Sequence, residues 1–331
     1  MKYLSSLLLV LFSCNTSTDN ILVRNTGETQ GSYYHIKYIS KGGVDYQIQI
    51  DSILSVIDSS LSIYQDYSLI SKLNKGEEVK TDIFFNSVYK AAERVYNETN
   101  GSFDCSIYPL VEYWGFYTYP LKDTIIIDSL EIRKMLSNTD FGKIRLVNDS
   151  LFLPKGMRLD FNSLAQGYTV DIIASFLEQK GVGNYLIEIG GELLAKGINV
   201  KGDIWTVGVD KPTNNIDANQ RFLFILELEN KALATSGNYR KFYEKDGVKY
   251  SHTIDPISGF PAQNKLLSVT VIHDNCMLAD AYATAFMVMG VKRTKEFILN
   301  NNQLEVYLVY TGKNGAWKEF ISPSMYRRII N

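Results

Sequence analysis

The residue types best suited to chemistry in this sequence are a carboxylate and a hydroxyl one helical turn apart. Asp280 and Thr284 lie four residues apart in the Ala-rich segment LADAYATAFMVMG, so a helix would place both on one face. Oxygen ligands of this kind suit Mg²⁺, which keeps several waters and binds substrate phosphates. The same pair can be structural, with Asp280 favouring a helix N-terminus and Thr284 bonding back to a carbonyl. The spacing alone leaves both interpretations open.

A histidine close to a carboxylate is the second candidate. His252 precedes Asp255 by three residues in SHTIDPISG, and such a histidine can act as a general base near neutral pH. Upstream, the tetrapeptide ATSG contributes the hydroxyls of Thr235 and Ser236 and a flexible backbone, which suit phosphate oxygens. A lone histidine between a strand and a loop is more often structural, and such tetrapeptides are common. A catalytic role therefore needs support from elsewhere in the chain.

The segment DFNSLAQGY, from Asp160 to Tyr168, predicts the start of a helix that runs to about residue 180. Asn162 or Ser163 can cap the helix, an apolar stripe follows, and Gly181 ends it. A helix start presents unpaired N–H groups and the positive end of the helix dipole, which suits a phosphate group. An ordinary capped helix explains the same residues.

Composition and missing motifs exclude several classes. The formal net charge of the 331 residues is −2, so no nucleic-acid partner is expected. The chain has no Gly-x-Ser-x-Gly elbow, no Walker A motif, no Gly-x-Gly-x-x-Gly and no Cys/His cluster for zinc. After Cys14 only Cys105 and Cys276 remain, which leaves at most one disulfide open.

The N-terminus has the features of an export signal. Lys2 is followed by an apolar run over 3–12 that is too short for a permanent membrane span, and Ser13 precedes Cys14. This arrangement resembles the lipobox of bacterial lipoproteins, which are cut before the cysteine and lipidated there; a plain signal peptide is the alternative. We therefore predict a signal peptide over 1–14, a polar tether over 15–29 and one domain over 30–331.

The remaining chain interleaves helical and strand patterns without a regular βαβ series, which favours an α+β fold. Predicted helices cover 47–64, 82–98, 128–136, 279–289 and 294–301, in addition to the one that follows Asp160. Predicted strands cover 31–40, 143–147, 151–153, 185–189, 205–209, 222–228, 231–235, 267–272 and 304–310.

Taken in chain order, these motifs resemble the ApbE family, the FAD:protein FMN transferases. The similar blocks are DFNSLAQGYTVD, IEIGGELLAKG, ATSGNYRKF, YSHTIDPISGFPA, SVTVI and LADAYATAFMVMG, and upstream GETQGS, LSIY and GSFD followed by PLVEYWGF. The resemblance covers nearly the whole mature chain. It implies a single large α+β domain with a mixed sheet core like that of T-fold proteins, and FAD in a cleft beside that core.

The resemblance also implies a set of site residues. Tyr64 would stack on the isoalloxazine ring, and His252, steered by Asp255, would act in the catalytic step. The Mg²⁺ ligands would be Asp280, Thr284 and the main-chain oxygen of Ser163. The other flavin-nucleotide contacts would be Gln30, Ser102, Phe103, Asp104, Asp160, Gln166, Thr235, Ser236 and Ile254.

Three positions depart from the family pattern. Gln30 stands where many members have Met, so packing on the adenine side is expected to differ. Gln166 and Ala283 stand where some members have carboxylates, which leaves one or two bound metal ions open.

The implied activity is Mg²⁺-dependent transfer of FMN from FAD to a threonine hydroxyl of an acceptor protein, with release of AMP. The implied acceptors are flavoprotein subunits of Nqr- or Rnf-type redox complexes, on the exported, periplasm-facing side of a bacterial membrane that also holds the lipid on Cys14. Two alternatives remain: an FAD pyrophosphatase that yields FMN and AMP, and a non-catalytic flavin-binding lipoprotein.

Overall fold

An antiparallel sheet of eight strands organises the computed structural model, which describes residues 19–117, 127–213, 221–238, 242–245 and 248–330. The strands, in chain order, are β1 Asn20–Thr29, β2 Ser32–Lys41, β3 Arg145–Val147, β4 Ser150–Phe152, β5 Tyr185–Ile189, β6 Glu192–Lys196, β7 Thr206–Asp210, β8 Phe222–Glu227, β9 Lys231–Gly237, β10 Phe242–Lys245, β11 Val248–Ser251, β12 Leu266–His273, β13 Glu305–Thr311, β14 Trp317–Ile321 and β15 Ile329–Ile330. The main sheet has the order β1-β2-β5-β6-β9-β12-β13-β14, a smaller sheet the order β15-β8-β7, and β3–β4 and β10–β11 are hairpins.

The helices form where the sequence supplies apolar stripes and capping side chains. They are α1 Gln47–Leu61, α2 Leu69–Asn74, α3 Ile83–Glu98, α4 Tyr108–Tyr113, α5 Ser129–Leu136, α6 Asn162–Gln179, α7 Cys276–Leu299 and α8 Pro323–Tyr326. Asn275 caps α7 by accepting a hydrogen bond from the N–H of Leu278. Two separate helices were expected on either side of Gly290. They are joined as α7, and the kink between them lies at this glycine, which has φ 72° and ψ 174°.

Helices cover one face of the main sheet, and the smaller sheet covers part of the other. Alternation along β5 places Tyr185, Ile187 and Ile189 in the core beneath α1 and α6, while Leu186 and Glu188 point to the opposite face. On that opposite face, β7, β8 and α8 pack over β6, β9 and β13. The face of β2 and β5 beside this cover stays open and becomes one wall of a cleft.

A close contact between α6 and α7 fixes the two helices that are expected to bind the metal. A Cβ added at Gly167 would lie 2.5 Å from the carbonyl oxygen of Cys276 and 2.9 Å from the Cα of Met277, so only glycine fits there. The Asp171 carboxylate on α6 accepts hydrogen bonds from the first two N–H groups of α7, those of Cys276 and Met277, both at 2.9 Å. The N-terminus of α7 is therefore held against α6 by packing and by a buried acid.

The structure confirms the α+β class and corrects some details. Every strand pair of the main sheet is antiparallel, so the sheet is not mixed. The predicted tether over 15–29 is wrong for residues 20–29, because these residues pair along their whole length with β2 and form an edge strand. Within the described residues Cys105 and Cys276 are free, buried thiols, which excludes the disulfide that was left open.

The predicted signal peptide and Cys14 lie outside the described residues. In the part of the chain that the structure describes, no helix is both long and apolar enough to cross a membrane.

Candidate functional site

A cleft of about 740 Å³ brings together most of the residues that the sequence singled out. Its walls come from the open face of β2 and β5, the start of α6, the cleft-facing side of α7, the end of β9 and the strand β7. The predicted residues that line it are Gln30, Tyr64, Asp104, Asp160, Ser163, Gln166, Thr235, Ser236, His252, Ile254, Asp280 and Thr284. Ser102, Phe103 and Asp255 are not among the lining residues.

Asp280 is the buried acid of this cleft. It is 6% exposed, and its hydrogen bond comes from the N–H of Gly167 at 3.3 Å, which is a long one. Burial raises the pKa of Asp280 to about 7. A carboxylate held out of water with so little compensation favours either a proton or a cation.

Thr284 and Ser163 complete an oxygen donor set around Asp280. Thr284 lies one turn further along α7, and its hydroxyl oxygen is 3.3 Å from that of Ser236 on β9. Ser163 lies in the first turn of α6, where it lines the cleft. No group of three or more His, Cys, Asp or Glu that could hold a metal occurs in the described residues. One carboxylate with hydroxyl and carbonyl oxygens fits a hard divalent cation that also binds substrate oxygens, as Mg²⁺ does.

Asp160 is a second, partly buried acid, and its two oxygens each accept a hydrogen bond. The N–H of Asn162 donates to Oδ1 at 2.7 Å, and the hydroxyl of Tyr117 donates to Oδ2 at 2.5 Å. Burial raises the pKa of Asp160, whereas these two donors favour its charged form. Sequence reasoning missed Tyr117; the only available signal was that it ends the aromatic stretch after GSFD.

Tyr64 presents an aromatic ring to the cleft. It is 62% exposed and meets the ring of Tyr117 edge-on, with centroids 6.3 Å apart. Tyr117 in turn packs on Tyr108 at 4.8 Å, and the guanidinium of Arg158 lies over the outer face of Tyr108 at 4.5 Å. In such a T-shaped pair at least one face of the Tyr64 ring is not covered by Tyr117, and the stacking prediction requires one such face.

His252 lies just after β11, where its ring lines the cleft and meets the ring of Phe116 edge-on at 6.3 Å. The same stretch is anchored by Trp114, which stacks on Tyr250 and donates its indole N–H to the carbonyl of Gly259 at 2.9 Å. Residues 114–117 therefore contact both the histidine and the Asp160 carboxylate.

Asp255 forms hydrogen bonds within its own turn. Its carboxylate accepts hydrogen bonds from the N–H of Ile257 at 3.0 Å and from the hydroxyl of Ser258 at 2.9 Å. A short Asp-Pro turn provides donors that satisfy this acid locally, so the predicted role of Asp255 in the catalytic step stays a prediction.

The resemblance implies that Ser102 and Phe103 contact the nucleotide through their backbone, and this stays a prediction, because neither residue lines the cleft. Both are buried away from the cleft: the Ser102 hydroxyl accepts a hydrogen bond from Arg293 at 2.6 Å, and Phe103 belongs to the helical core. Asp104 reaches the cleft, but its carboxylate accepts hydrogen bonds from the N–H groups of Ser106 and Phe141 and from the Ser106 hydroxyl. Asp104 therefore forms part of the cleft wall, and its carboxylate oxygens are already hydrogen-bonded within the protein.

Four more predicted contacts line the cleft: Gln30, Gln166, Thr235 and Ile254. The Gln30 side chain donates to the Thr169 hydroxyl at 2.9 Å, and the Gln166 amide is 3.4 Å from the carbonyl oxygen of Gln30. Thr235 shares a hydrogen bond with Thr270 at 2.9 Å. Ile254 is buried and joins an apolar cluster of α4, α5 and Phe260.

The cleft is strongly acidic. Among the described residues, two side chains with a permanent positive charge, Lys37 and Arg221, line it, and Arg221 is already paired with Asp210 at 2.8 Å. Seven carboxylates line the same space: Asp58, Asp104, Asp160, Glu188, Glu192, Asp210 and Asp280. Sequence reasoning missed Asp58, Glu188, Glu192, Asp210 and Arg221, because their convergence depends on how distant strands pair. An anionic ligand entering this cleft needs an additional cation.

Comparison with known proteins finds relatives along nearly the whole chain. A sequence model described as the ApbE family matches residues 30–308. A protein of Vibrio cholerae serotype O1 named FAD:protein FMN transferase is 35% identical over 325 residues, which cover 96% of this chain and 95% of that protein. A protein of Escherichia coli K12 with the same name is 31% identical, covering 92% of this chain and 88% of that one.

Solved structures are similar over the same length. The flavin transferase ApbE from Vibrio cholerae superposes with a TM-score of 0.83 at 33% identity, covering 94% of this chain and all of that chain. The apo form of a Pseudomonas stutzeri flavinyl transferase ApbE also gives 0.83, at 29% identity, covering 93% and 97% of the two chains.

Proposed function

The chain belongs to the ApbE family, and from that premise we propose that it transfers FMN from FAD to a hydroxyl group of an acceptor protein. The observation that carries the proposal is the convergence in one cleft of a buried acid with oxygen neighbours, an exposed aromatic ring and a histidine. The first would hold a metal, the second a flavin ring, and the third would accept a proton.

Mg²⁺ is the metal that this donor set fits best. Asp280, Thr284 and the main-chain oxygen of Ser163 would hold it. When bound, it supplies positive charge to the diphosphate of FAD in a cleft where most of the charged side chains described are acidic. The raised pKa of Asp280 supports the assignment, since a nearby cation stabilises the carboxylate that burial disfavours.

The rest of the cleft would orient the nucleotide and the proton transfer. Tyr64 stacks on the flavin ring, and Asp160 accepts a hydrogen bond from the flavin nucleotide. The acceptor hydroxyl oxygen attacks the phosphorus on the FMN side. A new O–P bond forms, the P–O bond to AMP breaks with its electron pair leaving on AMP, and His252 takes the hydroxyl proton. The residue attacked is proposed to be threonine.

The cellular setting is proposed from the N-terminal sequence. Export, cleavage before Cys14 and lipidation there would hold the enzyme on the periplasm-facing side of a membrane. Acceptor subunits of Nqr- or Rnf-type complexes would then be within reach.

The test is incubation with FAD, Mg²⁺ and an acceptor domain carrying a Ser/Thr-Gly-Ala-Thr motif. Covalent yellow acceptor together with AMP supports transfer. Free FMN and AMP without labelled acceptor would instead support hydrolysis, and bound FAD unchanged by Mg²⁺ would support a flavin-binding protein.

A substitution at the metal site sharpens the test. We expect Asp280→Ala to abolish Mg²⁺-dependent labelling, because it removes the only buried carboxylate of the proposed ligand set. Asp66→Asn is the matched control, since Asp66 is an exposed acid paired with Lys75. Full activity of the Asp280 variant would refute the metal assignment.

A further inference from the structure

We propose that the free edge of strand β7 is the docking site for the acceptor polypeptide, which binds there as an added antiparallel or parallel strand. This inference rests on the proposed function and identifies how that site recognises its second substrate. It starts from the sheet order β15-β8-β7, in which β7 is the outer strand and β8 is its partner within the described residues.

The first step is that the edge of β7 faces the cleft. All five residues of β7, Thr206 to Asp210, line the cleft. Successive side chains of a strand point to opposite faces of its sheet, and Val207 and Val209 are indeed buried in the core between the two sheets. A single cavity can be lined by residues from both faces of a strand only when it runs along the edge of that strand. The cleft therefore passes beside the unpaired backbone of β7.

The second step is that backbone N–H and C=O groups on this edge point away from β8 and can pair with another strand. Trp205 accepts a hydrogen bond from the N–H of Leu228 at 2.8 Å, and Lys211 donates to the carbonyl of Arg221 at 2.9 Å. In an antiparallel pair the bonded residues alternate, so the odd-numbered residues point to β8. The N–H and C=O groups of Thr206 and Gly208 point away from β8, and within the described residues no backbone hydrogen bond fills them.

The third step is that this edge lacks the usual protection against strand addition. Natural edge strands are commonly blocked by proline, by lysine or by a bulge in the middle. β7 has the sequence TVGVD, without proline or lysine, and its register shift lies at the end, between Val209 and Asp210. An unpaired strand edge that lies inside a cleft, rather than on the outer surface, is suited to transient binding of an extended peptide segment.

The charge of the cleft indicates the chemistry of that segment. Within the part of the chain that the structure describes, seven carboxylates and two cations line the cavity, so acidic side chains on the incoming strand would be repelled. A short neutral segment of small residues around the target hydroxyl, such as Ser/Thr-Gly-Ala-Thr, meets no such repulsion. Main-chain pairing supplies the affinity, and the small side chains let the backbone approach β7 closely. His252 and Thr284 line the same cleft, so a strand bound here would bring its hydroxyl into the space they share.

The test is an N-methyl scan of a short synthetic peptide carrying this motif, assayed for FMN labelling by the wild-type enzyme. Strand addition predicts alternation: methyl groups at every second position raise the KM for the peptide about tenfold, since each removes one hydrogen bond and blocks approach. The intervening positions, whose N–H groups point away from β7, should be tolerated. A uniform effect, or none at any position, would overturn the docking site.

A pair of enzyme variants tests the same edge by changing β7 instead of the peptide. Thr206→Pro removes one outward N–H, and proline is tolerated as the first residue of an edge strand. We expect it to raise the KM for the peptide much more than Thr206→Ala, which keeps that N–H, while the Kd for FAD stays the same in both. Weaker FAD binding in the proline variant, without a change in peptide KM, would assign the edge to the nucleotide and overturn the inference. Should the proline variant not fold, the peptide scan still decides. Failure of the wild-type enzyme to label even the unmethylated peptide would refute the proposed transfer itself.

Discussion

The hydroxyl of Tyr117 and the carboxylate of Asp160 form the shortest polar contact measured in the cleft, at 2.5 Å. Because the hydroxyl donates to one carboxylate oxygen and a backbone N–H to the other, Asp160 is held in one orientation with its remaining lone pairs available. We therefore regard Tyr117 as a positioning residue for the nucleotide site. Its ring also supports Tyr64 edge-on, so a single side chain touches both proposed flavin contacts.

We expect Tyr117→Phe to weaken FAD binding about tenfold, since a hydrogen bond to a charged group contributes about 1.5–3 kcal/mol. The same substitution in an Asp160→Asn background should have little further effect, because the partner charge is already gone. Isothermal titration of the four proteins measures this coupling.

The matched control is Tyr96→Phe, which removes a similar Tyr–Asp hydrogen bond, to Asp140, at a residue that does not line the cleft. If the effects of Tyr117→Phe and Asp160→Asn on the FAD Kd were simply additive, the two groups would act independently and the positioning role would be wrong.

At the scale of elements, the contact of α6 with α7 decides whether the metal-binding oxygens converge. Gly167→Ala should cost about 1–3 kcal/mol of unfolding free energy, because the added methyl group meets the backbone of Cys276 and Met277. It should also raise the Mg²⁺ concentration needed for half-maximal activity, since α7 must shift. Gly183→Ala is the control, as nothing lies within 4 Å of its added Cβ. Equal behaviour of the two variants would show that the helix contact is not tight.

Asp171, which holds α7 against α6, predicts that the free energy of unfolding depends on pH. Burial raises the pKa of Asp171 to about 6, whereas an unfolded aspartate titrates near pH 4. Between these values the folded state keeps a proton that the unfolded state releases, so this group's contribution to stability is largest below pH 4 and is lost as the pH rises towards 6.

The loss amounts to about 3 kcal/mol across that window. Asp171→Asn should therefore flatten the fall in unfolding free energy between about pH 4 and pH 6, as measured by urea titration without metal. An unchanged slope would mean that Asp171 titrates normally in the folded protein.

The elements were predicted from sequence more completely than the site was. Hydrophobic periodicity located α1, α3, α5 and α6 within a few residues, because each helix buries one stripe. It missed β1, whose alternation is hidden among Asn, Thr and Gly residues and which becomes a strand through pairing with β2.

At the site, the spacing of Asp280 and Thr284 predicted that both lie on one face of a helix, and both line the cleft, whereas their role as metal ligands rests on the family resemblance. Sequence could not show that the turn after Asp255 supplies hydrogen-bond donors to its carboxylate. Glu188, Glu192 and the edge of β7 were missed because their convergence depends on the pairing of strands distant in sequence.

For the whole molecule, the dominant property is the excess of negative charge in its cleft. In the absence of divalent cations, FAD should bind weakly, because its diphosphate enters a cleft that seven carboxylates of the described residues line. Raising NaCl from about 10 to 150 mM should then tighten FAD binding, since salt screens the repulsion. Riboflavin, which has no phosphate, is the matched control and should show no such trend. If salt weakened FAD binding without Mg²⁺, cations of the protein itself would dominate the site.

The main sheet adds its strands in the order in which they occur along the chain, from β1 to β14. A polypeptide that emerges N-terminus first can therefore extend its sheet at one growing edge, without inserting a late strand between two early ones. The histidine and the helix that bears Asp280 come only after most of this scaffold exists. Catalytic competence would thus be among the last properties the nascent enzyme acquires, so partly synthesised chains would have a framework but no means of reacting with flavin.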